Sequence, residues 1–229
     1  MNKRDVFRIR CGAAALFASG LLTAVGLYLR GPNLVDITTD TQRIIEVASS
    51  SQHILAQAFL MPNLVIQIFG FWGLYAFLAN TAVDRPAFWG AVLCIAANAL
   101  FLPFAGIVAF VAPPVADLYL QGNTEVIQVY HQGLYSAFAR PFLAGSAVLI
   151  LVGALFFAVA IWRSDRLPKW AGVLFFLHAI GIGPAAEFSY AVEYTGALML
   201  LVSTTWIAWA IWRETGSQAA QQAYHRRVG

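Results

Sequence analysis

The sequence predicts an all-α membrane protein, a bundle of six transmembrane helices with two outer amphipathic helices, from three observations. Of the 229 residues, 60% are hydrophobic and only 11% are charged, whereas a soluble domain has about 25% charged residues. The mean hydropathy is +0.69, which means more apolar surface than a water-soluble chain of this size can bury. The apolar residues are also grouped into stretches that reach the roughly 20 residues a helix needs to cross a bilayer.

Six such stretches lie within one predicted integral membrane domain, residues 1–229. They cover residues 11–29, 54–79, 87–111, 138–162, 170–190 and 194–212, and residues 214–229 form a predicted cytoplasmic tail. The first stretch follows basic residues, as the apolar part of a secretory signal does. It runs for 19 residues, longer than the roughly 7–15 residues of a signal peptide. We therefore expect an uncleaved first helix.

The basic residues predict the orientation. Eleven of the 14 Lys and Arg residues fall on one side of the six-helix threading, and only Arg30, Arg43 and Arg140 fall on the other. The positive-inside rule then predicts that both termini are cytoplasmic. The seven Trp residues map to the same half as the basic residues, and Tyr residues concentrate in the outer half, as in interfacial aromatic belts.

Two segments on the predicted outer side, residues 36–52 and 123–136, carry apolar residues at helical spacing. This spacing predicts amphipathic helices that lie on the outer face or fold back over it. Either they cover a cavity or they are interfacial helices without a covering role.

Paired motifs indicate an internal repeat of residues 44–110 and 126–191. Asp84-Arg85 followed by Trp89 matches Asp165-Arg166 followed by Trp170, and Pro103 matches Pro184, each at an offset of 81 residues. Each unit would hold two spans, so the copies would be parallel repeats related by an axis near the membrane normal. The alternative is convergence, because interfacial Trp and loop Asp-Arg recur without common ancestry.

Polar side chains inside the apolar stretches are the candidate ligand-binding residues, since lipid makes them costly unless they face a bundle interior or a cavity. Gln67, Asn98 and His178 fall near the predicted midplane, and Asn63 lies one turn outward of Gln67. The alternative role for Gln67 and Asn98 is interhelical hydrogen bonding.

Three charged residues lie farther out. Arg140 at the start of the fourth span is expected to pair with Glu187 near the end of the fifth, and Glu193 follows close behind. The pair is either structural or the mouth of an outer-facing polar cavity, running from Glu187 past Asn63 to His178. If the protein is an enzyme, Glu187, Glu193 and His178 are the candidate acid–base groups.

No motif specifies catalysis, a metal or a cofactor. HExxH and ExxH spacings, glycine-rich nucleotide loops and the GxSxG elbow do not occur, and the histidines differ in depth, which disfavours a bis-histidine haem. Cys11 and Cys94 are too far apart in the chain for a CxxC or zinc motif. The net charge of +3 sits in short clusters beside apolar segments, so nucleic acid is not an expected partner.

The turn at residues 161–173, Ile-Trp-Arg-Ser-Asp-Arg-Leu-Pro-Lys-Trp-Ala-Gly-Val, resembles a turn in uncharacterised bacterial six-span membrane-protein families of unknown function. The resemblance implies a bacterial inner (cytoplasmic) membrane, and it implies no activity. The large set of polar residues on the outer side and the lack of catalytic motifs favour a non-enzymatic binding, transport or accessory protein, whose partners are membrane lipids and either a small lipophilic ligand or a membrane protein. The alternative is a membrane-embedded enzyme acting on a lipid or isoprenoid.

Overall fold

The computed structural model describes residues 3–31, 41–183 and 189–228, without the side chains of residues 3, 43, 44 and 218–228. Every regular element in these ranges is helical, so the predicted all-α class is confirmed. The elements are α1 (Lys3–Arg30), α2 (Thr41–Ala48), α3 (Ser51–Leu78), α4 (Asp84–Gly106), a π-helical segment (Ile107–Val111), α5 (Ala112–Leu120), α6 (Val126–Tyr135), α7 (Ala139–Arg163), α8 (Lys169–Ile182) and α9 (Tyr190–Val228).

Among the described residues, five helical stretches are long and apolar enough to cross a membrane, one fewer than the six spans predicted. They are Arg4–Arg30, Ser51–Leu78, Asp84–Leu120, Ala139–Arg163 and Tyr190–Ser217. The predicted span 170–190 corresponds to α8, an apolar helix of 14 residues. At 1.5 Å per residue it is about 21 Å long, short of the roughly 30 Å hydrocarbon core. Residues 184–188, the rest of that predicted span, lie outside the described residues.

The six longest packed helices form a closed ring in the part of the chain that the structure describes. In order around it, α1 packs on α3, α3 on α4, α4 on α7, α7 on α8, α8 on α9, and α9 on α1. Phe71, Phe157 and Phe175 meet at its centre, with ring centroids 5.8–6.2 Å apart. All three side chains are buried. These aromatic contacts join α3, α7 and α8 across the ring.

One end of the ring, the turn end, holds the start of α1, the turns at residues 79–83 and 164–168, and Thr215 of α9. Arg10 Nε of α1 donates to Thr215 Oγ1 at 3.0 Å. Arg166 Nη1, in the second turn, donates to the Phe77 carbonyl of α3 at 2.7 Å. The start of the first helix and residue 215 of the last therefore lie at the same end.

The opposite end, the loop end, holds the end of α1, the start of α9, and α2, α5 and α6. The Tyr190 hydroxyl of α9 donates to the Leu27 carbonyl of α1 at 3.0 Å. Because Arg166 is at the turn end and Tyr190 at the loop end, the chain between them passes from one end of the ring to the other. The short α8 lies in that passage.

The two segments predicted to be amphipathic do form helices, α2 and α6, and they fold against α5; residues 36–40 lie outside the described residues. Their buried side chains, Ile45 and Tyr130 among them, pack with Ala112 and Ala116. The continuous helix Asp84–Leu120 has 37 residues and is about 55 Å long, so α5 extends beyond a bilayer core of about 30 Å. Burial in this cluster raises the pKa of Tyr130 above its ordinary value, because desolvation disfavours the phenolate.

The helix bounds do not support the residue pairs expected from the repeat. Three of the six paired helix bounds recur at an offset of 85 residues, and none recurs at 81: Thr41 and Val126 begin α2 and α6, Leu78 and Arg163 end α3 and α7, and Asp84 and Lys169 begin α4 and α8. Asn80 and Asp165, which occupy the left-handed region with φ of 59° and 48°, follow the same offset. Coinciding turns would thus pair Asp84 with Lys169, not Asp165. The difference is about one helical turn, and Pro184 lies outside the described residues.

Glycines allow the ring helices to approach closely. A Cβ built on Gly73 of α3 would lie 2.9 Å from the carbonyl carbon of Gly12 in α1, and one on Gly181 of α8 would lie 2.9 Å from the Cα of Gly196 in α9. In both places backbone faces backbone, so no flexible side chain can move aside. Small residues at such crossings are the usual way that helices associate in lipid.

We expect Gly73→Ala to destabilise the protein by about 1–3 kcal/mol, because the added methyl forces α1 and α3 apart. Gly106→Ala is the matched control, since a Cβ there would have nothing within 4 Å and alanine favours the helix. Thermal unfolding in detergent measures both. Equal melting temperatures for the two variants would contradict the assigned crossing.

Candidate functional site

Two of the predicted midplane residues bond to each other. Asn98 Nδ2 of α4 donates to Gln67 Oε1 of α3 at 2.9 Å and to the Leu64 carbonyl at 3.0 Å. This is the interhelical hydrogen bond expected as the alternative to ligand binding. It holds α3 against α4 where no close glycine contact does so.

Asn63 is one helical turn from Gln67 but bonds to a different helix, α1. Its Nδ2 donates to Thr23 Oγ1 of α1 at 2.7 Å, and the Thr23 hydroxyl donates to the Ser19 carbonyl at 2.8 Å. The Asn63 side chain is 3% exposed, and its Oδ1 has no hydrogen-bond partner in the described part of the chain. Asn63 therefore belongs to the α1–α3 contact.

His178 lies on α8 and is 5% exposed. Its ring packs edge-on against Phe175, with centroids 4.8 Å apart, and its Nδ1 has no hydrogen-bond partner among the described residues. In the described ranges, no hydrogen bond joins Asn63 to His178, and the expected polar track from Glu187 past Asn63 to His178 stays a prediction. Glu187 lies outside the described residues.

Glu193 forms an ion pair with Arg30 that the sequence analysis missed. The two side chains are 4% and 13% exposed. The helix dipoles favour both charges, because Arg30 is at the C-terminal end of α1 and Glu193 is in the first turn of α9. The candidate acid–base group Glu193 is thus held by a guanidinium. The only sequence signal was that both charges fall at outer ends of predicted spans.

Arg140 is exposed at the start of α7. Its expected partner Glu187 lies outside the described residues, so the Arg140–Glu187 pair stays a prediction. The candidate charges Arg140 and Glu193 are therefore not joined in the described structure.

The π-helical segment supplies a second contact that the sequence analysis missed. In it, the Ala112 N–H bonds to the Ile107 carbonyl, and Pro113 has no N–H, so the Val108 carbonyl loses its usual helical donors. His53 of α3 takes their place, with Nε2 3.2 Å from the Val108 oxygen. The Pro113-Pro114 pair was the available signal, because consecutive prolines remove consecutive donors.

A cleft of about 1250 Å³ lies between α1 and α3 and reaches the turn end. We call it the α1–α3 cleft. It is lined by Asp5, Phe7, Arg8, Ile9, Cys11, Gly12, Ala15, Ile66, Phe69, Trp72, Gly73, Tyr75, Ala76, Phe77, Ala79, Asn80, Thr81, Arg166 and Glu214. The sequence analysis expected a polar cavity at the loop end. In the described residues, polar side chains near that end, such as Asn63 and Glu193, bond across helix contacts instead.

Arg166 closes the cleft at the turn end. Its Nε donates to Glu214 Oε1 of α9 at 2.8 Å, and its Nη1 donates to the Phe77 carbonyl at 2.7 Å. The guanidinium carbon also lies 4.0 Å from the centroid of the Phe77 ring. One side chain from the α7–α8 turn thereby joins the end of α3 to Glu214 within α9.

Among the described candidate catalytic groups, Glu193 pairs with Arg30 and His178 packs against Phe175, so their joint role as acid–base groups stays a prediction. No group of three or more His, Cys, Asp or Glu residues in the described ranges is arranged to hold a metal ion. Family models, curated proteins and solved structures give no match to the chain. The resemblance of the 161–173 turn to uncharacterised bacterial families therefore stays a prediction.

We expect Glu193→Gln to lower stability in detergent by about 3 kcal/mol, since it leaves the Arg30 cation buried without its counter-charge. Adding Arg30→Gln should cost little more, because the pair is then removed as a unit. Glu46→Gln, at an exposed carboxylate of the same end, should have almost no effect. Fully additive losses for the Glu193 and Arg30 variants in thermal unfolding would contradict the coupling.

Proposed function

We propose that the chain is a multi-pass protein of a bacterial inner membrane, with six crossings and both termini in the cytoplasm. Three observations support the crossings and the orientation. Arg10 and Thr215 meet at the turn end, and the chain between Arg166 and Tyr190 returns from that end to the loop end by way of α8. The turn end also carries most of the basic residues, as the cytoplasmic side does under the positive-inside rule.

A reporter-fusion experiment tests this orientation. Alkaline phosphatase, which is active only outside the cytoplasm, should be inactive when fused after Arg163 and active when fused near Asn123. The first position is at the turn end and the second lies between α5 and α6 at the loop end. Activity after Arg163 with none near Asn123 would reverse the proposed topology.

We infer that the protein binds an amphipathic, lipid-like ligand in the α1–α3 cleft, as a non-enzymatic binding or accessory protein. The graded lining of the cleft is the observation that carries this proposal. Along α3 it runs from apolar Ile66 and Phe69, through Trp72 and Tyr75, to polar Asn80, a distance of roughly 20 Å. The lining thus changes from apolar to aromatic to polar. A bilayer shows the same order from its hydrocarbon core, through the interfacial aromatic belt, to its headgroups.

The size and exposure of the cleft also favour a lipid. Its volume of about 1250 Å³ exceeds the roughly 300–1,000 Å³ of ordinary small-molecule pockets. Phe7, Phe69 and Trp72 are exposed along it, so a ligand can enter sideways from the bilayer. These features suit a molecule that is already in the membrane.

Binding is better supported than catalysis. Of the two carboxylates in the cleft, Glu214 is paired with Arg166, and Asp5 has an interaction of its own. The acid–base candidates Glu193 and His178 do not line the cleft. An enzyme acting on a lipid or isoprenoid needs a proton donor or acceptor beside its substrate, and no described carboxylate is free for that role in this cleft.

The native Cys11 gives a direct test, because it is exposed and lines the cleft while Cys94 is buried. A water-soluble maleimide should label delipidated protein at Cys11 and not at Cys94. Adding back membrane lipid should slow Cys11 labelling several-fold. The matched control is Ala14→Cys in a Cys11→Ser background, an exposed position on the same helix but outside the cleft lining. Equal slowing at both positions, or none at either, would contradict a lipid in the cleft.

A further inference from the structure

We propose that the α1–α3 cleft selects amphiphiles with an anionic headgroup, and that Arg8 is the residue that binds the anion. This inference rests on the proposed lipid-binding function and specifies its ligand class. It follows from the charges that line the cleft, from the position of Arg8, and from the donors of its guanidinium.

Four charged residues line the cleft: Asp5, Arg8, Arg166 and Glu214. Arg166 and Glu214 neutralise each other, with Nη2 2.7 Å from Oε1, and Asp5 has an interaction of its own. No hydrogen bond or ion pair to another described residue engages the Arg8 guanidinium. Arg8 is therefore the cation in the cleft that no described side chain holds in a hydrogen bond or an ion pair.

Arg8 lies at the polar end of the cleft, where a headgroup would be. It is about one helical turn from Cys11 toward the turn end, and the turn after α3 contributes Asn80 and Thr81 to the same lining. Arg8 is exposed, so its charge is solvated and costs little to keep there. A headgroup that reaches this level brings its tail alongside Phe69 and Ile66.

The guanidinium determines the chemical class of the ligand. Arginine presents five N–H donors in a planar fork that matches the oxygens of phosphate and carboxylate. A zwitterionic headgroup also carries a phosphate, but its ammonium brings a second positive charge close to Arg8, and like charges repel each other. Inorganic phosphate would bind Arg8 without the apolar wall of the cleft. An anionic lipid would contact both Arg8, through its headgroup, and the apolar wall of the cleft, through its tail.

Native mass spectrometry of the purified full-length protein tests this, with phosphatidylglycerol and phosphatidylcholine in mixed micelles as probes. Phosphatidylglycerol should be retained about fivefold more tightly, since one basic residue near an anionic headgroup contributes about 1 kcal/mol. Arg8→Gln should abolish that preference, and Arg8→Lys should keep part of it because the charge remains without the planar fork. Arg85→Gln is the matched control, an exposed arginine at the same end outside the cleft lining.

The outcomes separate this inference from the proposed function. Slowed Cys11 labelling by both lipids without any preference for phosphatidylglycerol would overturn the anionic selectivity and leave lipid binding standing. Equal loss of preference in Arg8→Gln and Arg85→Gln would overturn the role of Arg8, since diffuse charge would then explain it. Displacement of phosphatidylglycerol by millimolar inorganic phosphate would overturn the lipid as the ligand. An unchanged melting temperature in Arg8→Gln excludes misfolding as the cause of any loss.

Discussion

Close approach of helix backbones at glycines is the constraint on which the rest of the structure depends. Lipid solvates apolar side chains as well as a helix partner does, so packing and hydrogen bonds must hold the helices together. In the described ring, five of the six helix contacts include a glycine whose added Cβ would meet the neighbouring helix, as at Gly12–Gly73 and Gly181–Gly196. The sixth, between α3 and α4, has the amide hydrogen bond from Asn98 to Gln67 instead.

This packing also determines where a ligand can bind. The α1–α3 cleft runs beside the crossing at Gly73 and is closed at the turn end by Arg166, whose partners come from α3 and α9. Near the loop end, Asn63 and the Arg30–Glu193 pair bond across helix contacts. Asn63 Nδ2 and the charges of Arg30 and Glu193 are thereby engaged by the protein itself, which reduces the cost of burying them. The ligand site that we propose lies at the other end, in the α1–α3 cleft.

Some of the candidate site could be predicted from the sequence and some could not. The Asn98–Gln67 bond was predictable, because an amide in an apolar stretch must find a partner in a neighbouring helix. The Arg30–Glu193 pair was not, since its members are 163 residues apart and only the ring brings α1 beside α9. Pro113 signals that a carbonyl loses its donor, but it gives no information about which side chain replaces that donor.

The sequence by itself determined the class of protein, because composition and the length of apolar stretches are properties of segments and need no knowledge of their neighbours. It determined the helical class, the charge asymmetry between the two ends and the existence of α2 and α6 for the same reason. Only the tertiary structure decided the order of helices in the ring, the partner of each buried polar group and the position of the α1–α3 cleft. Those features depend on which helix faces meet, and glycine contacts between distant parts of the chain set that geometry.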